Sequence, residues 1–305
     1  MKNLNNQKGM ALLLVLAITA LLTALISQLS FSTLVDLRLT ETYRDSTRAY
    51  YLAKGGIQIG QMVLKDDSNS YDGNNELWAQ KIINYPVGEL GLINITIVPL
   101  DGKININMLV NNSGNIDAVV KDRCLRLFEI LEIDDPQGHI DALIDWIDTD
   151  DTPQPAGAET EYYASQTSLG SCKNGPLDTL DELHLVAGFN NIEVKKLLPH
   201  LSVYGGKKLH LNSATAPALC ALAEEINLSS AEMIVEQRKI KPFQSVEELK
   251  LLPGWDTFYW AINSFLDVKA NYYRINTDAS VGDGHRRASA TVQKDKNSLL
   301  YFRIN

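Results

Sequence analysis

Six carboxylates crowd one short stretch of this 305-residue chain. Asp145, Asp148, Asp150, Asp151, Glu159 and Glu161 fall within seventeen residues, with no Lys or Arg among them. Uncompensated, they repel one another and the loop that carries them stays loose. Several hard oxygen ligands in a long loop suit a calcium-like divalent cation, which would reverse that repulsion. Counted from Asp148, Asp150 is third, Thr152 fifth and Glu159 twelfth, the ligand spacing of an EF-hand. Pro153 stands where that loop needs its turn glycine, and Pro155 follows, so a true EF-hand is not expected. Two readings stay open on spacing alone: a cation-holding loop, or a solvated acidic loop that caps helices.

Other reactive residue types lack a working arrangement. The histidines, His139, His184, His200, His210 and His285, show no HExxH spacing, and there is no GxSxG, P-loop or GxGxxG. Asp145 beside Trp146 could imitate a glycosidase acid in an apolar pocket. A helix turning Leu143, Trp146 and Ile147 to a core explains the Trp more simply. Asp134-Asp135 and Glu247-Glu248 read as helix starts. No enzyme is expected. Cys124, Cys172 and Cys220 are far apart, without CxxC or Cys/His spacing, so a zinc site is not expected. One disulfide with one free thiol, in any of three pairings, stays open beside burial of all three as small apolar side chains. The net charge of −9 argues against general phosphate binding, which draws on clustered Lys and Arg.

These residues must be held by the elements around them. The chain begins MKNLNNQKGMALLLVLAITALLTALISQL. The apolar run Met10–Leu29 is long enough to cross the ~30 Å hydrocarbon core as a helix. Lys2 and Lys8 precede it, and nothing basic follows until Arg38, which favours a cytoplasmic N-terminus. Helical pattern continues without proline to about Lys65, its second half amphipathic through Leu34, Leu37, Tyr43, Ala49, Tyr50, Ala53, Ile57 and Met62. Next comes a short helical piece, Glu76–Ile83, stopped by Pro86. A β-hairpin is expected from Ile93, Ile95 and Ile97 to Ile104 and Ile106, turning at Asp101-Gly102. Three antiparallel strands are expected at the end, in FLDVKANYYRINTDAS, GDGHRRASATVQKD and SLLYFRIN. Between them lies a helical insert with an internal repeat. TLDELHLVAGF (Thr179–Phe189) recurs 66 residues later as SVEELKLLPGW (Ser245–Trp255). The helices before each copy also look alike, from Cys124 and from Cys220, so two helix-hairpin-helix-like units are expected. Their hairpins, Ile133-Asp134-Asp135-Pro136 and Ile226-Asn227-Leu228-Ser229, lack the glycine with which such units approach a DNA phosphate.

A basic leader ending in Gly9, followed by an apolar stretch and an amphipathic continuation, resembles the class III leader of type IV pilins and pseudopilins. DWIDTDDTPQPAGAETEYY, LHLNSATAP and KPFQSVEEL resemble signatures of the minor pseudopilin K family of type II secretion, so the resemblance covers most of the chain. It implies that prepilin peptidase cuts between Gly9 and Met10, leaving a mature N-terminus that is often methylated. Family members usually carry Glu at the fifth mature position. Here that position is Leu14, which the resemblance implies marks a subunit at the filament tip. It also implies Ca²⁺ in the insert, with Asp148, Asp150, Asp151 and Glu159 as first ligands and Asp181 as a further one from the adjacent helix start. The fold implied is α+β: a pilin-like long N-terminal helix on a small antiparallel sheet, with an all-helical domain inserted in the sheet. The expected layout is leader 1–9, membrane segment 10–30, helix and first hairpin 31–108, inserted α-domain 109–264 and C-terminal strands 265–305. The expected location is the inner membrane, single pass, with the bulk in the periplasm. Expected partners are minor pseudopilins I and J, with H and the major pseudopilin beyond them, and no nucleic acid. Alternatives are a type IV pilus minor pilin and a membrane-anchored helix-hairpin-helix DNA-binding protein.

Overall fold

The computed structural model describes residues 6–88, 91–111, 113–166 and 171–305. Lys2, in the leader, lies outside the described residues. Helix α1 (Asn6–Asp66) is a single run of 61 residues, about 90 Å at 1.5 Å per residue. No proline interrupts it. Its segment from Met10 to Leu39 touches nothing in the chain and exposes its leucines on every side. That segment is long and apolar enough to cross a membrane. Its second half behaves differently. Ala49, Ala53, Ile57 and Leu64 are buried against the sheet, recurring at helical spacing. Small residues on that face let helix and sheet approach closely. A Cβ on Gly56 would sit 2.6 Å from Ile93, and one on Gly60 would sit 2.7 Å from Ile275.

The sheet has five antiparallel strands in the order β1 (Ile82–Val87), β2 (Gly91–Pro99), β7 (Tyr272–Val281), β8 (Gly284–Gln293) and β9 (Ser298–Ile304). The three C-terminal strands form as expected from their alternation, and the inward residues Tyr273, Ile275, Ala279, Ala288, Ala290 and Val292 face α1. Two expectations near the first strands fail. Ile82–Val87 is an edge strand, not the end of a helix; only Leu77–Ala79 makes a 3₁₀ turn there. The Asp101-Gly102 hairpin does not form either. The carboxylate of Asp101 accepts from the backbone N–H groups of Asn271 (2.8 Å) and Tyr272 (2.7 Å), and Leu100 N donates to Tyr272 O at 2.7 Å. Strand β2 therefore pairs with β7 over its full length, Gly91 with Val281 and Pro99 with Tyr273. The turn signal instead begins the insert, and β3 (Ile104–Asn105) pairs in parallel with β4 (Leu201–Ser202) inside it. The chain leaves the sheet at Pro99 and returns at Tyr272, wider on both sides than the expected 109–264.

The insert has its own core, separate from that between α1 and the sheet. Its first unit is α2 (Ala118–Ile130), α3 (Pro136–Ile147), α4 (Thr160–Ser165) and α5 (Asn191–Leu197). Its second, after β5 (Leu209–His210), is α6 (Ala216–Cys220), α7 (Leu228–Ile240) and α8 (Trp255–Ile262), followed by β6 (Leu266–Asp267), which pairs with β5. The repeat is real in three dimensions. Thr179 (φ −141°, ψ 155°) and Ser245 (φ −147°, ψ 158°) each open a 3₁₀ turn, Leu180–His184 and Val246–Leu251. Leu183 and Leu249 plug the core at matching positions, and Gly188 (φ 88°) and Gly254 (φ 80°) make the left-handed turn that follows. The copies are unequal: α6 has five residues where α2 has thirteen.

Candidate metal centre

Helix α3 starts at Asp135, whose carboxylate accepts from Gly138 N at 3.2 Å, with Pro136 in the first turn. From Gly138 to Ile147 almost every residue is buried, so the helix threads the middle of the insert. Trp146 packs edge-on against Tyr163 of α4, ring centroids 5.1 Å apart, which accounts for it as a core residue. Yet the same helix carries Asp141 and Asp145, and Asp148 caps its C-terminus, three or four residues apart and therefore on one face. All three are buried.

The chain after α3 folds back over that face. Gln154 N donates to the Asp145 carboxylate at 3.0 Å, and Ala156 N to Asp141 at 3.4 Å. Gly157 passes so close to Asp145 that a Cβ there would collide with the carboxylate. The return brings Glu159, the residue before α4, down beside Asp145 and Asp148. One carboxylate oxygen from each of Asp145, Asp148 and Glu159 lies within 4.8 Å of the others. Asp148 and Glu159 are each 5 % exposed and Asp145 is fully buried.

Among the described residues, no Lys, Arg or His pairs with any of the three. Asp148 Oδ1 and both oxygens of Glu159 have no hydrogen-bond partner. Each like-charged pair at this separation costs on the order of 3 kcal/mol at an effective dielectric constant of about 20. Burial, then the Asp150 and Asp145 charges, push Asp148 up to about 6. Burial, then Asp145, Asp148 and Asp151, push Glu159 up to about 7. Asp145 is raised as well, mainly by burial. Buried, unpartnered oxygens that converge fit a hard divalent cation, whose charge would offset all three penalties.

The expected ligand residues are only partly brought together. Asp148 and Glu159 are in the group. Asp150 and Asp151 are exposed at its edge: Asp150 accepts from Thr152 N at 2.8 Å, and Asp151 from Thr160 Oγ1 at 2.9 Å. Asp181 is elsewhere, its side chain 75 % exposed and 3.9 Å from Arg303 of β9. Glu161 is exposed too. Asp145 is the member that spacing missed; its signal was the three-residue step to Asp148 on one helical face.

A second acidic group, Asp67, Asp72 and Glu76, lies where α1 ends. It is compensated from within. Lys294 Nζ reaches Asp67 at 2.7 Å and Asp72 at 2.8 Å, while Trp78 Nε1 donates to Glu76 at 2.7 Å. Cys124, Cys172 and Cys220 are three buried free thiols, so no disulfide forms in any of the pairings considered. Burial pushes Cys124 up to about 12 and the other two to about 11, which makes them inert. Met10 and Leu14 are exposed on the free half of α1, as is Gly9. In the second helical hairpin Asn227 accepts from Ser230 N at 2.9 Å. The helix-terminal N–H groups that would hold a DNA phosphate are thus engaged by Asp135 and Asn227.

Two family models, both described as type II secretion system (T2SS), protein K, match residues 102–206 and 209–269. Together they take in more than half of the chain. The type II secretion system protein K of Klebsiella pneumoniae is 29 % identical over 306 residues, covering 95 % of this chain and 93 % of that one. That of Pseudomonas aeruginosa is 26 % identical over 306 residues, covering 96 % and 91 %. Among solved structures, a chain of the GspK-GspI-GspJ complex from the enterotoxigenic Escherichia coli type 2 secretion system is similar with a TM-score of 0.74 at 17 % identity, covering 87 % of this chain and 99 % of that one. At that identity the likeness is one of fold.

Proposed function

This chain belongs to the type II secretion system protein K family, and on that premise we propose that it is a minor pseudopilin at the tip of a periplasmic pseudopilus. The observation that carries the reading is the division of α1. One half packs on the sheet, and the other leaves an apolar surface for a membrane and for neighbouring helices. Cleavage by prepilin peptidase after Gly9 would free the amine of Met10 for a following subunit. Leu14 offers no carboxylate to a subunit ahead, which supports a terminal place. The insert, attached at one end of the sheet, is broad enough to obstruct growth past it. Partners of the kind in the similar complex, pseudopilins I and J, would pack on the free half of α1.

The reading includes a Ca²⁺ that would be held by Asp145, Asp148 and Glu159, with the exposed charges of Asp150 and Asp151 at the edge of the group. When bound, the ion supplies the positive charge that the site lacks. The chain's own part is to bury the carboxylates, aim Asp145 through the Gln154 N–H and fasten the 149–159 return to α3.

The test is the mature N-terminus, read by mass spectrometry on protein taken from the inner membrane together with whatever co-purifies. A chain that starts at Met10 and brings down pseudopilins I and J is the expected result. A chain that starts at Met1 and comes alone would leave a plain anchored protein.

A further inference from the structure

Within α2, Arg123 is 4 % exposed. Its guanidinium lies over the ring of Phe265 at 4.2 Å, and Nη1 donates to Lys207 O at 2.7 Å. The remaining edge, Nε and Nη2, has no hydrogen-bond partner, and among the described residues no carboxylate pairs with Arg123. A buried guanidinium with a free donor edge is costly to maintain unless an acceptor meets it. The edge is also the shape that grips an oxyanion: two N–H groups side by side in one plane.

Arg123 lines a crevice with Lys103, Gly206, Lys207 and Lys208, together with the apolar Ile104, Val120 and Leu209. Its volume is about 10 Å³, room for one oxygen-sized group. The charge around it is positive in a chain of net −9. Lys103, Lys207, Lys208, Arg123 and the neighbouring Arg126 face Asp117, which pairs with Lys207, and Asp267, which is 3.5 Å from Lys208. Three positive charges are left over. Lys103 Nζ is held by Leu198 O at 3.0 Å, whereas the Lys207 and Lys208 side chains are more than half exposed at the mouth.

We propose that this crevice is an oxyanion site, in which one oxygen of a carboxylate or phosphate enters to meet the Nε and Nη2 edge of Arg123 while the rest of the group stays at the mouth between Lys207 and Lys208. A bound oxyanion would clamp the 205–208 loop to α2, and so join the first helical unit to the strand that opens the second. The site owes nothing to the acidic centre or to the place of the chain in a filament.

The test is thermal unfolding of the full-length protein in detergent, with sodium formate, acetate or phosphate exchanged for chloride at constant ionic strength. The expected result is a saturable rise in Tm. In a Lys207→Gln, Lys208→Gln variant, altered only at the surface, the half-saturating concentration should rise about tenfold, the loss of one to two charge-assisted contacts. Arg123→Lys keeps the charge, lacks the paired donors, and should abolish saturation. Saturation by formate and acetate as readily as by phosphate assigns a carboxylate; saturation by phosphate alone assigns a phosphate. Either supports the site. A rise that never saturates, or one unchanged in the surface variant, is a bulk salt effect and overturns the proposal.

Discussion

Asp148 and Glu159 illustrate how one residue's surroundings set its chemistry. Both stand above their ordinary values of 3.8 and 4.5 because they are buried together. A carboxylate whose folded value is raised favours the fold while protonated, so without metal this pair costs stability as pH rises from about 4 to about 7. His210 works in the opposite sense. It is buried, with Nε2 3.1 Å from the carbonyls of both Asp72 and Val268, and burial lowers it from 6.5 to about 4. Its contribution is complete above pH 6.5 and is lost as pH falls toward 4. The two slopes oppose each other in metal-free protein. In Asp148→Asn, Glu159→Gln the opposing slope of this pair is removed, so stability measured by urea unfolding should fall more steeply from pH 6.5 to 4 than in the metal-free native chain. Calcium at about a hundred times its dissociation constant should add about 2.7 kcal/mol to the native chain and nothing to this variant. The gain should be largest above pH 7, where no proton has to leave. An equal calcium response in both proteins would refute the assignment. Asp148 and Glu159 could be read from spacing because a count along a loop finds them. Asp145 could not, since a carboxylate inside an apolar helix looks like part of a core pattern. Asp181 misled because nearness to the next motif in sequence carried no distance in space.

Among the elements, α1 and the C-terminal strands were legible because each repeats its own period for seven residues or more. Strand β1 was not. It is only six residues long, at an edge, with Asn84 at φ 50° and Pro86 inside it, features that locally spell a break. The Asp101-Gly102 signal was sound turn chemistry, but Asp101 accepts from N–H groups 170 and 171 residues away, and no local rule sees those. Contact between α1 and the sheet depends on Gly56 and Gly60. Gly60→Val would drive its side chain into Ile275, which already lies within 2.7 Å of a Cβ there. We expect a loss of about 1–3 kcal/mol by denaturant unfolding, with the insert's calcium response intact. An unchanged midpoint would mean that the helix is not seated as described.

At the scale of the molecule, the insert enters and leaves through neighbouring points of one sheet, with Leu100 N bonded to Tyr272 O. Cutting from Lys103 to Lys269 and closing the gap with a short glycine linker should leave α1 and five strands folded, read as a protease-resistant core with retained strand circular dichroism. If the insert obstructs growth, pseudopili made with the shortened subunit should be longer. Collapse of the remaining core would show that the two cores are interdependent instead. The unbroken course of α1 has a mechanical consequence. Its 61 residues form a rod of about 90 Å with no proline hinge, and two of its glycines, Gly56 and Gly60, are wedged against the sheet. A push or pull applied at the N-terminal end is therefore transmitted along the rod to the sheet, and through the paired strands β2 and β7 to the insert. A load along this rod ends on the short connections at Leu100 and Tyr272.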